Sequence, residues 1–330
     1  MPANRRFTLA ARPVGMPKPS DFRIEEQPIR EPGDGEIHVK NRYVSLDPAM
    51  RGWMTDMKSY VPPVVIGDVM RAFALGEVVA SRDPAFAAGD LAAGLFGVQE
   101  HATVPAKHAT KLLPLAPLPK LMSVLGPPGL TAYFGLLDIG KPQPGETVVV
   151  SAAAGAVGSV VVQIAKIKEC RVVGIAGGPD KCAYIRELGC DAAIDYKAGD
   201  VAAQLREHCP KGVDIYFDNV GGEILDAVLA RLALRARIVI CGAISQYNAT
   251  APVKGPSNLI SLLVNRATMT GMVVLDYAPR FPQGVMELAG WFAAGKLTSK
   301  EHIVRGLDAF PTALPMLFTG ENFGKLLLEL

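Results

Sequence analysis

Residues Pro144 to Lys181 read PGETVVVSAAAGAVGSVVVQIAKIKECRVVGIAGGPDK, and this stretch decides the fold. A Pro-Gly turn releases an apolar run, Thr147–Val150, followed by small residues from Ala152 to Gly158. A helical pattern from Val160 to Lys168 and a second apolar run, Val172–Ala176, complete the stretch. That is one β-α-β unit with a glycine-bearing turn at its strand–helix junction. Such a turn brings backbone N–H groups and a helix N-terminus up to a pyrophosphate. Side chains at Ala152, Ala153, Ala154, Gly155 and Gly158 are too small to block the approach. The pattern is A-x-x-G-x-x-G where the usual fingerprint is G-x-G-x-x-G, and both flanking strands and the helix are in place.

The end of the second strand selects the dinucleotide. A unit specific for NAD usually ends there with Asp or Glu, which holds the ribose 2′-hydroxyl. Here the strand ends Ala176-Gly177-Gly178-Pro179, with Lys181 beyond it. A missing acid together with an added lysine predicts a 2′-phosphate, hence NADPH. Tyr196, in the next loop, is within reach of the same ribose. Asp180 opposes a phosphate if it points inward, and a solvated helix-start lysine is the plain alternative for Lys181.

Around this unit, strand-type runs recur at Val148–Val150, Val172–Ala176, Ala192–Asp195, Asp214–Phe217 and Ile238–Cys241. Helical stretches such as Val201–His208 and Ile224–Leu232 lie between them. The alternation predicts a doubly wound parallel sheet over 123–300. A further apolar run, Thr268–Leu275, and a helix near Phe281–Ala294 close that region. Residues 1–122 read differently: short β-like runs (Glu36–Tyr43, Ala74–Ala80, Leu91–Val98) are broken by Pro, Gly and Asp, as in a small antiparallel barrel or sandwich. Residues 301–330 end in a strand-like KLLLEL and are expected to return to the first domain.

Bulk composition excludes several classes. The 330 residues are 49% hydrophobic, with a formal charge of +2. That length suits two domains, and the charge gives no reason to expect nucleic acid. No apolar stretch reaches the ~20 residues that span a bilayer, and no signal-peptide core precedes residue 30. The five cysteines (170, 182, 190, 209 and 241) are scattered, odd in number and all beyond residue 169. Neither a disulfide framework nor a cysteine-cluster zinc site is indicated, and a reducing, cytoplasmic setting is expected. His38, His101 and His108 are the histidines of residues 1–122, so a catalytic zinc there would have to form without thiolates. No metal is expected.

Several segments carry a resemblance in a fixed order along nearly the whole chain: PPVVIGDVMRA (62–72), GLTAYFGLLDIGKPQPGETVVVSAAAGAVGS (129–159), FDNVGGEILD (217–226), CGAISQYN (241–248), NLISLLVNRATMTG (258–271) and ENFGKLLL (321–328). Together they resemble the zinc-independent medium-chain dehydrogenase/reductases of the prostaglandin reductase/leukotriene B4 dehydrogenase group, with the 2-alkenal and curcumin reductase-like enzymes. The resemblance implies an α/β fold, with a GroES-like β-barrel substrate domain and a Rossmann domain. It also implies a reaction: NADPH-dependent reduction of the C=C bond of an α,β-unsaturated aldehyde or ketone. Hydride goes to the β-carbon, charge builds on the carbonyl oxygen, and the α-carbon takes a proton. A homodimer, with the Thr268–Leu275 run paired across a two-fold axis, is expected by analogy.

Tyr247 leads the catalytic candidates. It follows the Ile238–Cys241 run at the carboxyl end of the sheet, where ligands bind. A phenol with a pKa near ~10 is a donor at neutral pH and suits an enolate oxygen; a bound water or a ribose hydroxyl would serve in its place. Family carry-over gives cofactor contacts at Ala152, Ala153, Gly155, Ala156, Val157, Gly158, Gly177, Lys181, Tyr196, Asn219, Cys241, Ala243, Ile244, Met272, Val274 and Asn322. Residues 272–274 would meet the nicotinamide amide through backbone groups. Turn-forming roles are the alternatives for Asn219 and Asn322, and Cys241 is expected to be buried and inert as a nucleophile. The substrate mouth is expected at Tyr43, Met50, Arg51 and Tyr60. Tyr60 stacks on an extended enone or bridges barrel and loop, and Asp47 with Arg51, four apart, reads as a helix-surface pair. A quinone reductase of the same fold and a non-catalytic NADPH sensor stay open as alternatives.

Overall fold

The structure is a computed structural model that describes residues 3–330. The chain divides into two compact units, one of residues 1–122 with 301–330 and one of residues 123–300.

The second unit holds a six-stranded sheet in the spatial order 192–195, 171–176, 147–151, 213–218, 232–240, 268–271. All of its pairings are parallel. Numbered along the chain, that order is 3-2-1-4-5-6, the doubly wound arrangement with a reversal between the first and fourth strands. The central strands carry continuous β-branched runs because helices cover both faces: Val148, Val149, Val150, Val172, Val173 and Ile175 are fully buried. Gly174 lies where the Gly158–Ile167 helix region, the next helix and the sheet converge. A Cβ there would meet Ile185 at 2.7 Å and Ala153 at 3.0 Å. The edge strand is shorter than its apolar run predicts: it spans Thr268–Gly271 and is mostly exposed, and Val274–Arg280 is a 3₁₀ helix.

In the first unit the Glu36–Ser45 strand is the spine. It pairs antiparallel with Ala74–Ser81, His101–Pro105 and Lys325–Glu329. Glu301–Arg305 joins the sheet parallel to Lys325–Glu329, and Ala3–Leu9 forms a separate hairpin with Phe22–Pro28. The expected Leu91–Val98 run stops as a strand at Gly94. Gly97 there adopts φ +82°, and a Cβ on it would crowd Val69 at 2.7 Å, so the chain turns away instead of continuing the ladder. The core joins Leu9, Ile37, Val39, Met50, Met54 and Met70 to Phe310, whose ring lies 5.3 Å from Phe7 and 4.9 Å from Phe22. Burial of Phe310, Leu326 and Leu328 ties 301–330 into this core; burying side chains of this size contributes roughly 1.5–3 kcal/mol each.

Candidate active site

The first strand of the parallel sheet ends at Ser151, and Ala152 follows in the left-handed region at φ 47°. An alanine there is strained, and the turn it starts is held by Gly155 N–H donating to the Ala152 carbonyl at 2.8 Å. Gly158 opens the helix directly against this turn. A Cβ at Gly158 would overlap the Ala152 carbonyl oxygen and sit 2.9 Å from Ala153 Cα. The helix Gly158–Ile167 starts without a side-chain cap, at Val157. Ser159 N–H donates to the Gly155 carbonyl and Val160 N–H to the Val157 carbonyl, both at 3.0 Å, so the backbone itself ties the helix start to the turn.

Beyond the second strand, Gly177 lies under the Tyr196 ring. A Cβ at Gly177 would meet Cε1 and Cζ at 2.8 Å and the phenol oxygen at 2.9 Å. Lys181, half-buried, has its ammonium pushed below the ordinary lysine value by burial and then by Lys197. Two cations thus lie near one another at this strand end, while Asp180 is solvent-exposed. The neighbouring acid, Asp195, is occupied by the backbone N–H groups of Gly178 and Lys197, both at 2.9 Å. The cradle of small residues, which a Cβ at Gly158 would fill, and the neighbouring lysines fit a dinucleotide with a 2′-phosphate. Lys197 had gone unassigned in the sequence, although it lies within the Ile194–Lys197 loop; its effect depends on a fold that brings two strand ends side by side.

At the reversal in strand order, Asn219 is fastened to the first strand. Its backbone N–H donates to Ser151 Oγ, and its Nδ2 donates to the Ser151 carbonyl, both at 2.8 Å. Asp218, fully buried, organises this junction. Its Oδ1 accepts from Ser151 Oγ, the Tyr216 hydroxyl and the N–H groups of Val220 and Gly221, at 2.8–3.0 Å. Sequence reasoning gave the role to Asn219 and passed over Asp218, whose importance shows only through these contacts. The loop after the next strand is laced to the same junction: Cys241 and Gly242 N–H donate to the Asp218 carbonyl and Ile244 N–H to that of Asn219.

Tyr247 folds back within that loop. Its phenol oxygen accepts from the Ala243 N–H at 3.1 Å, and Gly242 leaves room for it, since a Cβ there would lie 3.0 Å from the phenol oxygen. A phenol that already accepts on one lone pair is polarised toward donating its own hydrogen. Asn219, Ala243, Ile244 and Tyr247 are thereby brought together. Cys241 is only half-buried, yet burial, aided by the Asp218 charge, pushes its thiol up to about 12. It is protonated at neutral pH.

Other expected contact residues have partners or packing of their own within the chain. Met272 is buried and its N–H donates to the Ile240 carbonyl, so that group continues the sheet and is not offered to an amide. Val274 begins the 3₁₀ helix. In the first unit, Met50 is fully buried in the core and presents no side chain to a substrate. Arg51 is buried as well. It donates to the carbonyls of Gly15 and Pro13 and to the Thr55 hydroxyl, because a guanidinium fork can satisfy several loop carbonyls at once. Asp47 takes Lys325 at 2.6 Å and also bonds Ser45, so the surface pair with Arg51 does not describe these residues. Tyr43 donates to Glu329 at 2.8 Å, a cross-strand bond. Asn322 donates to the Gly324 carbonyl at 3.1 Å, a local turn bond. Tyr60 remains largely exposed, with its oxygen 3.3 Å from Trp53 Nε1. Among the described residues, no group of three or more His, Cys, Asp or Glu side chains is arranged to hold a metal ion.

Comparison with known proteins agrees with this geometry. Residues 5–112 match the family model described as the N-terminal domain of oxidoreductase, and residues 156–291 match that of zinc-binding dehydrogenase. The chain is 44% identical to the NADPH-dependent curcumin reductase of Escherichia coli, over 99% of this chain and 96% of the relative. It is 40% identical to the NADP-dependent 2-alkenal reductase of Nicotiana tabacum, over 98% and 96%. The crystal structure of CurA from Vibrio vulnificus in complex with NADPH is similar at a TM-score of 0.93 and 44% identity, over 98% of both chains. More distant solved structures, such as the Escherichia coli quinone oxidoreductase at 21% identity, share the fold, a Rossmann domain with a GroES-like one. With strand order, phosphate turn and near-complete coverage in agreement, this chain belongs to the zinc-independent medium-chain dehydrogenase/reductase family.

Proposed function

We propose that this protein is an NADPH-dependent reductase that saturates the C=C bond of α,β-unsaturated aldehydes and ketones. The observation that carries the reading is the junction of Asn219, Ala243 and Tyr247 at the carboxyl end of the sheet, beside the dinucleotide turn. NADPH is the cofactor, and when bound it supplies the hydride. Ala152–Gly158 receive its pyrophosphate, and Lys181 with Lys197 receives its 2′-phosphate. Tyr247, with its oxygen polarised by Ala243 N–H, donates to the carbonyl oxygen of the acceptor as negative charge builds there. A donor aimed at developing charge acts more strongly in the transition state than in the ground state.

With a simple enal and NADPH, the expected product is the saturated aldehyde; an allylic alcohol as main product rejects the reaction class. Tyr247→Phe is expected to lower kcat by about 10- to 100-fold, roughly 1.4–2.7 kcal/mol, with a smaller change in KM. Turnover like that of the parent removes Tyr247 from the mechanism.

The same reading includes a homodimer. The Thr268–Gly271 strand is an open sheet edge, and nearby Leu259, Ile260, Leu263 and Val264 are exposed, Leu263 by 73%. An open edge beside an apolar patch invites pairing, and two copies of one edge meet antiparallel about a two-fold axis. Sedimentation should give a dimer that Leu263→Asp or Gly271→Pro, which removes an outward-facing N–H, converts to monomer. A monomeric parent, or a dimer that survives both changes, overturns this arrangement.

A further inference from the structure

A polar cavity of about 290 Å³ lies inside the first unit, between the hairpin of Ala3–Leu9 with Phe22–Pro28 and the strand His101–Pro105. Its whole lining falls within residues 4–103. The guanidiniums of Arg6 and Arg30 and the imidazole of His101 line it, and among the described residues no carboxylate does. Asn4 and Arg6 sit two apart on one strand, as do His101 and Thr103 on another, so each pair shares a face. Asn4 ties the two strands together: its Oδ1 accepts from His101 N–H at 2.9 Å, and its Nδ2 donates to Gln99 Oε1 at 3.0 Å.

The three basic groups differ in what they have left to offer. Arg30 is spent, since Nη1 and Nη2 grip the two Glu36 oxygens at 2.6 and 2.8 Å. Arg6 is not. Its Nη2 donates to one Glu25 oxygen at 3.2 Å, while Nη1 and the buried Nε have no partner among the described residues. A buried guanidinium donor without an acceptor is costly, and an oxyanion is the acceptor that suits it. His101 also has an open end. Its Nδ1 meets His38 Nε2 at 3.0 Å, and its Nε2 makes no hydrogen bond among the described residues. Burial holds both imidazoles below the ordinary 6.5; His38 and Lys40 lower His101 further, and Glu31 opposes the shift of His38, so both rings are neutral at neutral pH. With His38 Nε2–H as the donor, the His101 proton sits on Nε2; in the reverse arrangement that nitrogen is an acceptor. An anion in the cavity selects the first. Thr103 supplies the opposite function: its Oγ1 spends its hydrogen on the Arg30 carbonyl at 2.8 Å and keeps only lone pairs to offer.

We propose that this cavity binds a monoprotonated phosphate, with its anionic oxygens on the open donors of Arg6 and on His101 Nε2–H, and its P–OH on Thr103 Oγ1. Arg6 supplies the charge, because Glu25 meets it through one oxygen and turns the other to the Thr8 hydroxyl at 3.4 Å. The volume is at the lower end of small-ligand sites, ~300–1,000 Å³, which suits a small anion and not a dinucleotide. Such a site separates phosphate from sulfate. Sulfate at neutral pH has no hydrogen to give Thr103, so two acceptors would face each other. None of this depends on the reductase reading.

The test is calorimetric titration at pH 7.5 of the NADP-loaded protein, in which the cofactor already fills its own phosphate sites. Inorganic phosphate should bind saturably. Sulfate should bind about tenfold more weakly. Glycerol 3-phosphate, an ester with little P–OH above its second pKa near ~6, should be weaker in the same way. Arg6→Gln should weaken phosphate about tenfold to a hundredfold, and Glu25→Gln, which removes the competing charge, should tighten it. Thr103→Val should bring phosphate and sulfate to one affinity. A second readout needs no variant to fold: in the parent, the ring ¹⁵N resonances of the His38–His101 pair should move along the same binding curve, with Nε2 of His101 becoming the protonated nitrogen. The proposal is overturned by absence of saturable phosphate binding in the parent, or by an affinity unchanged in Arg6→Gln. Sulfate or the ester binding as tightly as phosphate, or histidine resonances that stay still, overturns it equally.

Discussion

At the scale of single residues, cofactor choice turns on what surrounds one strand end. Gly177 leaves space that the Tyr196 ring fills, Asp195 is committed to two backbone N–H groups, and Lys181 lies near Lys197. A 2′-phosphate seated at this strand end would meet a cation that burial and Lys197 hold below its ordinary value. Lys181→Ala is expected to raise KM for NADPH about tenfold to a hundredfold, since a charge-assisted contact contributes about 1.5–3 kcal/mol. Lys197→Ala should have a smaller effect in the same direction, because Lys197 is more exposed and more fully screened. KM for NADH should move little in either variant. Equal use of both cofactors by the parent would sink this assignment.

At the scale of elements, the decisive one is the turn from Ser151 to Gly158. Its strand–helix approach is so close that even a methyl group on Gly158 overlaps the Ala152 carbonyl oxygen. Gly158→Ala should therefore cost about 1–3 kcal/mol, a fall in Tm of roughly 2–10 °C, together with weaker NADPH binding. A variant with unchanged melting and affinity would show that the turn yields without strain. This element was legible in the sequence because glycine spacing and flanking apolar runs are local signals. So were the strands 147–151, 171–176 and 192–195, each a β-branched or small apolar run bounded by turns. What was not legible depends on distant partners. Arg51 and Asp47 look like a helical pair until loop carbonyls and Lys325 claim them. Met50 has the type of a pocket residue and the position of a core residue. Asp218 looks like the neighbour of a functional asparagine, although four donors from two strands and a turn converge on it. The strand beginning at Thr268 stops early because Val274–Arg280, apolar at its start, winds into a 3₁₀ helix, and periodicity alone does not separate those outcomes.

At the scale of the whole molecule, the two units draw on different reserves, and acid should find the weaker one first. The parallel-sheet unit is held by fully buried aliphatic strands whose packing has no proton dependence. The other unit places two imidazoles inside its sheet: His38 Nε2 and His101 Nδ1 lie 3.0 Å apart on adjacent strands. One ring donates and the other accepts, so at least one must be neutral. Burial lowers both below the ordinary 6.5, and His101 is lowered further by His38 and Lys40, while Glu31 acts weakly in the opposite sense on His38. Because the folded values lie below the unfolded one, the unfolded chain binds more protons in the interval between them, and stability rises with pH there. The contribution is fully present above about pH 6.5 and is lost as pH falls below it through the folded values. Carboxylates such as Glu36, held at about 2 chiefly by Arg30, lose their contribution only in stronger acid. Tm should accordingly decline between pH 7 and pH 5, before the acid-range loss begins. The His38→Gln, His101→Asn double variant should show a flatter profile over that interval, whatever its absolute Tm. An identical slope in parent and variant would assign the decline to other groups and remove the imidazole pair from the account of acid stability.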